Sequence, residues 1–224
     1  MADNEHKAAL AGLKAKAVSG RLSRRDFMQG ALALGLGVTA ASGLWTREVA
    51  AATPKKGGSF RVGLDDGNTS DNLDPSTYNS RFMITMAHTR NNFLTEIGGD
   101  NTVTGELAET FEASKDAKTW TLKLRKGVEF HNGKTFDAKD AAASLEFHRG
   151  AASKSAAKPL LSAIEEIKVD DDHTLVLKLA QGNADIPYAL TDYHLIMMPL
   201  GKDGKIDPQE QAGTGGYVLN EFEP

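Results

Sequence analysis

Six histidines are the residues of this sequence best suited to act as a base, a metal ligand or a proton-dependent switch near neutral pH. They are His6, His88, His131, His148, His173 and His194. No two have the roughly three-to-five-residue separation of common metal-binding pairs, and the chain has no cysteine to supply a thiolate. His131 precedes the turn pair Asn132-Gly133 with no nucleophile motif beside it. We therefore predict a turn histidine that bonds locally, no catalytic residue and no metal site.

Two other stretches have the composition of ligand-binding loops. Asp170-Asp171-Asp172 lacks the alternate ligands and the distal glutamate of a calcium loop, so we predict a solvated hairpin turn. Gly213-Thr214-Gly215-Gly216 lacks the following lysine of a phosphate-binding loop and precedes a strand pattern rather than a helix. Neither stretch indicates a cofactor, and we predict none.

The polar loop Asp65–Ser80 is the stretch that we consider most suited to bind a ligand. It follows an alternating segment, Ser59–Leu64, which we predict to be a strand, and it precedes Arg81–Glu96, which we predict to be a helix. Loops at strand ends of α/β lobes are where clefts form. The alternative is a solvated loop whose Asp and Asn side chains form local turns, and the sequence leaves both open.

The remaining pattern predicts an α/β unit. The apolar residues Trp120, Leu122 and Leu124 alternate with polar ones, which is typical of a half-buried strand. Asp137 is a suitable N-cap for the helix that follows it. Further predicted elements are strands at Ile164–Val169 and Thr174–Leu179, a helical turn or short helix at Pro187–Tyr193 and a strand at Tyr217–Phe222.

The first 52 residues have the composition of an export signal. They contain seven basic and four acidic residues, which give a net charge of +3. Because the whole chain has a net charge of −4, residues 53–224 have a net charge of −7. Arg24, Arg25 and Phe27 resemble a twin-arginine motif, followed by the short apolar run Gly30–Leu44 and the small residues Ala50-Ala51-Ala52. That run is shorter than the roughly twenty residues that a membrane span needs. We predict a twin-arginine signal peptide at residues 1–52 and a mature segment at residues 53–224.

The alternative for the arginine segment is an ordinary surface helix, which Ser23 and Asp26 begin with a capping box. The long extension before it, residues 1–20, carries no signal of its own.

The acidic mature segment argues against nucleic acid as a partner, because phosphate binding needs clustered Lys and Arg.

Several motifs of the mature segment resemble, in order, those of one family. They are the entry strand Gly57–Val62, the Leu-Asp-Pro of Asn72–Pro75, the stretch Glu106–Glu112, the long match Lys115–Gly133, its continuation Phe136–Asp140 and Gly213–Tyr217. The segment Lys115–Gly133 is the most specific of them. Together they are similar to the extracellular solute-binding proteins of peptide and nickel ABC importers, family 5, of the dipeptide- and oligopeptide-binding type. The sequence departs from the family pattern at Phe111, Ala117 and Gly216, where tryptophan, glycine and proline are usual.

The resemblance implies a fold and a function. The fold would be α/β, periplasmic binding protein-like, of type II and the large peptide-binding class. Members are considerably longer than this chain, so we expect an N-terminal fragment with the first lobe largely present and the second lobe mostly missing. The function would be that of a monomeric, non-catalytic periplasmic receptor that holds a peptide or similar small solute between two lobes.

The resemblance also implies partners and site residues. The partners would be the ABC permease membrane subunits and, for export, the Tat translocase. In the family, residues just before Leu-Asp-Pro line the cleft between the lobes, which points to Ser70, Asp71 and Asn72, with Tyr78 next. The main alternative is an exported enzyme, a hydrolase or redox protein that uses the twin-arginine route. A weaker alternative is a chaperone-like or chemosensory binder.

Overall fold

The computed structural model describes residues 2–18, 21–50, 58–210 and 212–224. The chain divides into two compact units, Met1–Val62 and Gly63–Pro224. The predicted cleavage site lies partly outside the described residues, because Ala51 and Ala52 are not among them. No helix in the described ranges combines the length and the apolar character that crossing a membrane requires.

The first unit is helical. It consists of α1 (Ala2–Val18), α2 (Arg24–Ala33) and α3 (Val38–Ala50). The apolar run Gly30–Leu44 is divided between α2 and α3 by a turn in which Gly35 has a φ of 80°. Glycine suits this position because a side chain there would strain the backbone. The helices share a buried apolar cluster that includes Phe27 and Ala31 of α2 and Ala41 of α3.

The second unit combines helices with antiparallel strands. Its helices are α4 (Arg81–Arg90), α5 (Ala138–Arg149) and α6 (Ile186–Ala189), with short 3-10 helices at Pro75–Thr77 and Lys158–Leu161. Its strands are β1 (Thr95–Ile97), β2 (Val103–Gly105), β3 (Ala108–Ala113), β4 (Thr119–Leu124), β5 (Ile164–Asp171) and β6 (Thr174–Leu179). β1 and β2 form a hairpin, and the other four strands form one sheet in the order β3-β4-β6-β5.

The sheet confirms the strands that the alternation predicts. Trp120 lies opposite Leu177 and Leu122 opposite Leu175, so the apolar side chains of β4 and β6 share one face. Such cross-strand pairs are the unit of sheet stabilisation. This face forms the main apolar core with α5. The turn between β5 and β6 is also confirmed, because the Asp171 carboxylate accepts hydrogen bonds from the His173 N–H and the Thr174 hydroxyl.

α5 begins where the sequence predicts and is tied to the rest of the unit by a buried charge. The Asp137 side chain accepts hydrogen bonds from the N–H groups of Lys139 and Asp140. Asp140 returns a bond to the Asp137 N–H, which completes a capping box. The Asp140 carboxylate is fully buried, pairs with Lys134 and accepts a 2.7 Å bond from the Leu200 N–H. Asp140 therefore joins the start of α5 to the apolar run before Leu200.

Two predicted strands are wrong. Neither Ser59–Leu64 nor Tyr217–Phe222 has strand hydrogen bonding in the structure, and Phe60 is 86% exposed. An alternating segment becomes a strand only when a neighbour takes up its backbone N–H and C=O groups, and within the described residues neither segment has such a neighbour.

One predicted helix is shorter than expected. The helix predicted over Arg81–Glu96 ends at Arg90, since the chain turns away at Asn91 to reach β1. The Glu106 carboxylate accepts hydrogen bonds from the Asn92 side chain and the Phe93 N–H at this bend. The helical turn or short helix predicted at Pro187–Tyr193 is confirmed as the single turn α6. The turn before β4 contains Ala117 with a φ of 51°, at a position where the family pattern has glycine.

Candidate functional site

His131 is part of the scaffold, as predicted. The prediction that it bonds locally is wrong. Its Nδ1 accepts a 3.2 Å hydrogen bond from the Gly213 N–H, and its Nε2 donates to the Gly215 carbonyl at 2.8 Å. Its own N–H donates to the Gly213 carbonyl at 2.8 Å. Both ring nitrogens are therefore engaged with a loop more than eighty residues away, which leaves neither to act as a catalytic base.

The glycine loop that His131 holds closes the end of α4. The Gly215 N–H donates to the Arg90 carbonyl at 2.8 Å, and the Thr214 hydroxyl donates to the Asn92 side chain at 2.9 Å. A Cβ on Gly213 would lie 2.0 Å from the Arg90 carbonyl oxygen. The glycines therefore permit a close backbone approach. The N–H groups of Gly213 and Gly215 bond within the protein and do not point at an anion.

Both ends of the candidate ligand loop are fastened near the start of α4. The Asp66 carboxylate accepts hydrogen bonds from the N–H groups of Arg81 at 2.6 Å and Phe82 at 3.1 Å. The bond from the Arg81 backbone is the largest cause that holds the pKa of Asp66 below its usual value. At the other end, the Ser80 hydroxyl accepts a bond from the Met83 N–H as the N-cap.

The middle of the loop is shaped by its own Asp and Asn side chains. The Asp71 carboxylate accepts a 2.9 Å hydrogen bond from the Asn68 N–H, and the side-chain oxygen of Asn72 accepts one of 2.9 Å from the Asp74 N–H. Local turns of this kind are what the solvated-loop alternative expects. The structure therefore places Ser70 at the surface, whereas the side chains of Asp71 and Asn72 are half-buried and bonded within the loop.

Tyr78 has a different environment from the other three predicted site residues. Its side chain is only 2% exposed and belongs to an apolar cluster with Leu73 and Met83. The hydroxyl donates to the Leu73 carbonyl at 2.9 Å, and burial raises the pKa of Tyr78 to about 12. Tyr78 stabilises the loop from its buried side in this structure, and its contact with a ligand stays a prediction.

A buried polar network behind the loop was missed by the sequence reasoning. His194 Nε2 donates to the Tyr78 carbonyl at 2.8 Å, and its Nδ1 lies 2.6 Å from the Asp192 carboxylate. Burial alone would raise the pKa of Asp192, but the hydrogen bonds from His194 bring it below its ordinary value. The spacing of two residues between Asp192 and His194 was the only signal in the sequence.

His148, at the end of α5, lies near this network and feels the charge of His194. It is fully buried, and its Nδ1 lies 2.6 Å from the Ser155 hydroxyl. Burial lowers the pKa of His148 to about 4, because the interior disfavours the charged imidazolium. Within the described residues, no group of three or more His, Cys, Asp or Glu is placed to hold a metal ion. The network supports the loop and offers no open reaction site.

A cavity of about 350 Å³ lies elsewhere in the second unit, between the end of α4 and the β1–β2 hairpin. Its walls include His88, Phe93, Glu96 and Glu106, and none of the predicted site residues. The Glu106 carboxylate already accepts bonds from Asn92 and the Phe93 N–H, and burial is the main cause that raises its pKa. The cavity is therefore distinct from the predicted site.

Comparison with known proteins identifies the family. A sequence profile described as "Bacterial extracellular solute-binding proteins, family 5 Middle" matches residues 102–224, more than half of the chain. The chain belongs to this family. Its members bind solutes for transport and are not enzymes, so the exported-enzyme alternative is not supported.

Individual relatives agree with the family. A Sinorhizobium fredii protein assigned as a peptide ABC transporter periplasmic-binding protein is 27% identical over 203 residues, which are 89% of this chain and 36% of the relative. A Brucella ovis protein assigned as an ABC transporter peptide-binding protein is 28% identical over 130 residues, 54% of this chain and 24% of the relative. The chain thus spans about a quarter to a third of the length of these relatives.

Solved structures confirm the predicted fold class. The A. tumefaciens R10 protein AgaA in complex with agropinic acid is 28% identical with a TM-score of 0.63, over 70% of this chain and 32% of that structure. The Haemophilus influenzae OppA complex with a peptide is 21% identical with a TM-score of 0.60, over 67% of this chain and 34% of that structure. This chain therefore has the α/β fold that the motifs imply. The match covers about a third of each solved structure.

Proposed function

We propose that this chain serves as part of the substrate-binding receptor of an ABC importer for peptides or a similar small solute. It acts without catalysis and works with the permease subunits of the importer. The observation that carries the proposal is the loop Asp65–Ser80, which is fastened at both ends to α4 and presents Ser70 at the surface next to the half-buried Asp71 and Asn72. Family membership supports the same role.

Peptide-like ligands suit the chemistry of this loop. Ser70 offers a hydroxyl, Asp71 a carboxylate and Asn72 an amide, which together can donate to carbonyl groups and accept from N–H groups. Polar contacts in ligand sites fix orientation, and bridging waters tolerate varied side chains. The bonds from Tyr78 and His194 hold the loop from behind, which reduces the ordering cost on binding.

Ser70 gives the sharpest test of the site. None of the hydrogen bonds within the described loop uses its hydroxyl, so Ser70→Ala removes a ligand contact without removing a structural one. We expect Ser70→Ala to weaken binding about five- to tenfold, the value of one hydrogen bond. The matched control is Asn79→Ala, an exposed position outside the predicted contact. Equal affinities for the two variants would contradict the assignment of Ser70.

The measurement is calorimetric titration of the purified full chain. The panel contains defined di- to pentapeptides and agropinic acid, and a parallel screen follows hydrolase and redox turnover. Heat on titration without turnover supports the receptor. Turnover by the pure protein would overturn it, and an absence of heat from the whole panel would count against binding by this chain alone.

The N-terminal residues 1–52 would direct the chain to the periplasm by the twin-arginine route, with the Tat translocase as the export partner. The mature segment, residues 53–224, would then act in the periplasm as a monomer. Supporting this, Arg24 and Arg25 are both exposed at the start of α2.

A further inference from the structure

The helical first unit buries one of the residues on which the proposed export signal depends. Phe27 has no exposed surface, although it lies only two residues after the exposed Arg25. Its ring lies 5.3 Å from that of Trp45 in α3. A receptor that reads the motif by its side chains cannot contact Phe27 in this arrangement.

The extension before the motif contributes to this burial. Ala17 of α1 is buried in the same cluster as Phe27, and Leu13 packs against that cluster. Leu13 also lies directly against α2, since a Cβ placed on Gly30 would be 2.7 Å from a Leu13 methyl carbon. The extension, for which the sequence showed no purpose, therefore forms one side of a closed three-helix unit.

The arginine pair is presented in a helical backbone. α2 begins at Arg24, the Ser23 hydroxyl accepts a hydrogen bond from the Asp26 N–H, and it donates to the Asp26 carboxylate at 2.6 Å. This bonding is the local structure that the surface-helix alternative expects. The motif is therefore available only in part, with its arginines at the surface and its aromatic residue inside.

We propose that α1 acts as a cover for the export signal, which lowers the affinity of the translocase for the chain until the three-helix unit opens. The inference rests on the proposed export by the twin-arginine route. A receptor that binds only the open form has an apparent affinity reduced by the fraction of chains that are open. Weakening the contact of α1 should raise that fraction and strengthen binding.

The test compares Leu13→Asp with Ala11→Asp in the full, unprocessed chain. Both variants add the same charge to α1, but Leu13 packs on the cluster while Ala11 is exposed. Binding is measured with membrane vesicles that contain the twin-arginine translocase. We expect Leu13→Asp to bind about tenfold more tightly than the wild type, equivalent to about 1.4 kcal/mol. Ala11→Asp should bind like the wild type.

The emission of Trp45 reports opening independently of binding. It is obtained as the difference between each chain and the same chain with Trp45→Phe, since the protein has two tryptophans. We expect a red shift for Leu13→Asp and none for Ala11→Asp. A red shift without tighter binding would overturn the inference, and so would unchanged emission together with unchanged binding.

A third variant separates this inference from the proposed export. Replacing Arg24 and Arg25 by lysine should abolish vesicle binding if the pair is the export motif. Loss of binding in the lysine variant with no gain in Leu13→Asp would refute the cover alone. Unchanged binding of the lysine variant would refute the twin-arginine signal itself, and the cover with it.

Discussion

Gly213 leaves no room for a side chain, so its replacement by alanine probes the joint between the glycine loop and α4. The added Cβ would lie 2.0 Å from the Arg90 carbonyl oxygen and 2.6 Å from the Asn91 side-chain oxygen. Relief requires a shift of more than about 1 Å, because non-bonded contacts to carbon are normally longer than 3 Å. The atoms in the way are mainly backbone, held in place by the bond from the Asn91 N–H to the Ala87 carbonyl.

The expected cost is at the upper end of overpacking effects, about 3 kcal/mol. For a unit of this size that corresponds to a fall in Tm of about 6–12 °C. The assay is thermal and urea unfolding of the full chain by circular dichroism, with Trp120 emission as a probe of the second unit. The matched control is Gly216→Ala in the same loop, where a Cβ would meet nothing within 4 Å. Equal stability of the two variants would refute the close approach of the glycine loop to the end of α4.

Two further predictions concern buried charges. Asp140→Ala should cost about 2–3 kcal/mol by urea unfolding, because it leaves the Leu200 N–H without an acceptor and removes the capping-box bond to the Asp137 N–H, while Lys134, whose side chain is 35% exposed, can regain water. Removal of the exposed Lys139–Asp172 pair by Lys139→Ala should cost less than about 1 kcal/mol. The folded pKa of His148, about 4, lies below the unfolded value near 6.5, so stability is complete above about pH 6.5 and should fall by up to roughly 3 kcal/mol as the pH drops towards 4. Unfolding curves for His148→Gln should lose most of this dependence, and an unchanged slope would contradict the assignment.

The elements that could be predicted from the sequence are those whose partners are close along the chain. β5 and β6 are joined by a turn of Asp residues, and Asp137 caps α5 with its own neighbours. The motif Lys115–Gly133 also allowed the family to be inferred before any coordinates. In each case a short stretch contains both halves of the interaction that stabilises it.

The failures share the opposite property. Ser59–Leu64 and Tyr217–Phe222 alternate like strands, but pairing depends on a neighbour that the segment itself does not specify. The bonds of His131 to Gly213 and Gly215 join residues more than eighty positions apart. The family resemblance points to Tyr78 as a site residue, and its contact with a ligand stays a prediction. Only the folded chain shows that its hydroxyl donates to the Leu73 carbonyl.

The sequence by itself determined the family, the α/β class and the positions of strands β4, β5 and β6, because periodicity and capping act over a few residues. Only the tertiary structure decided which polar groups are engaged. In the fold, His194 bonds to the Tyr78 carbonyl and to Asp192, and His131 bonds to the glycine loop. Phe27 is buried, with its ring against that of Trp45. Whether a side chain contacts a ligand or stabilises the protein depends on which atoms, distant in sequence, lie next to it. Only the folded structure shows those neighbours.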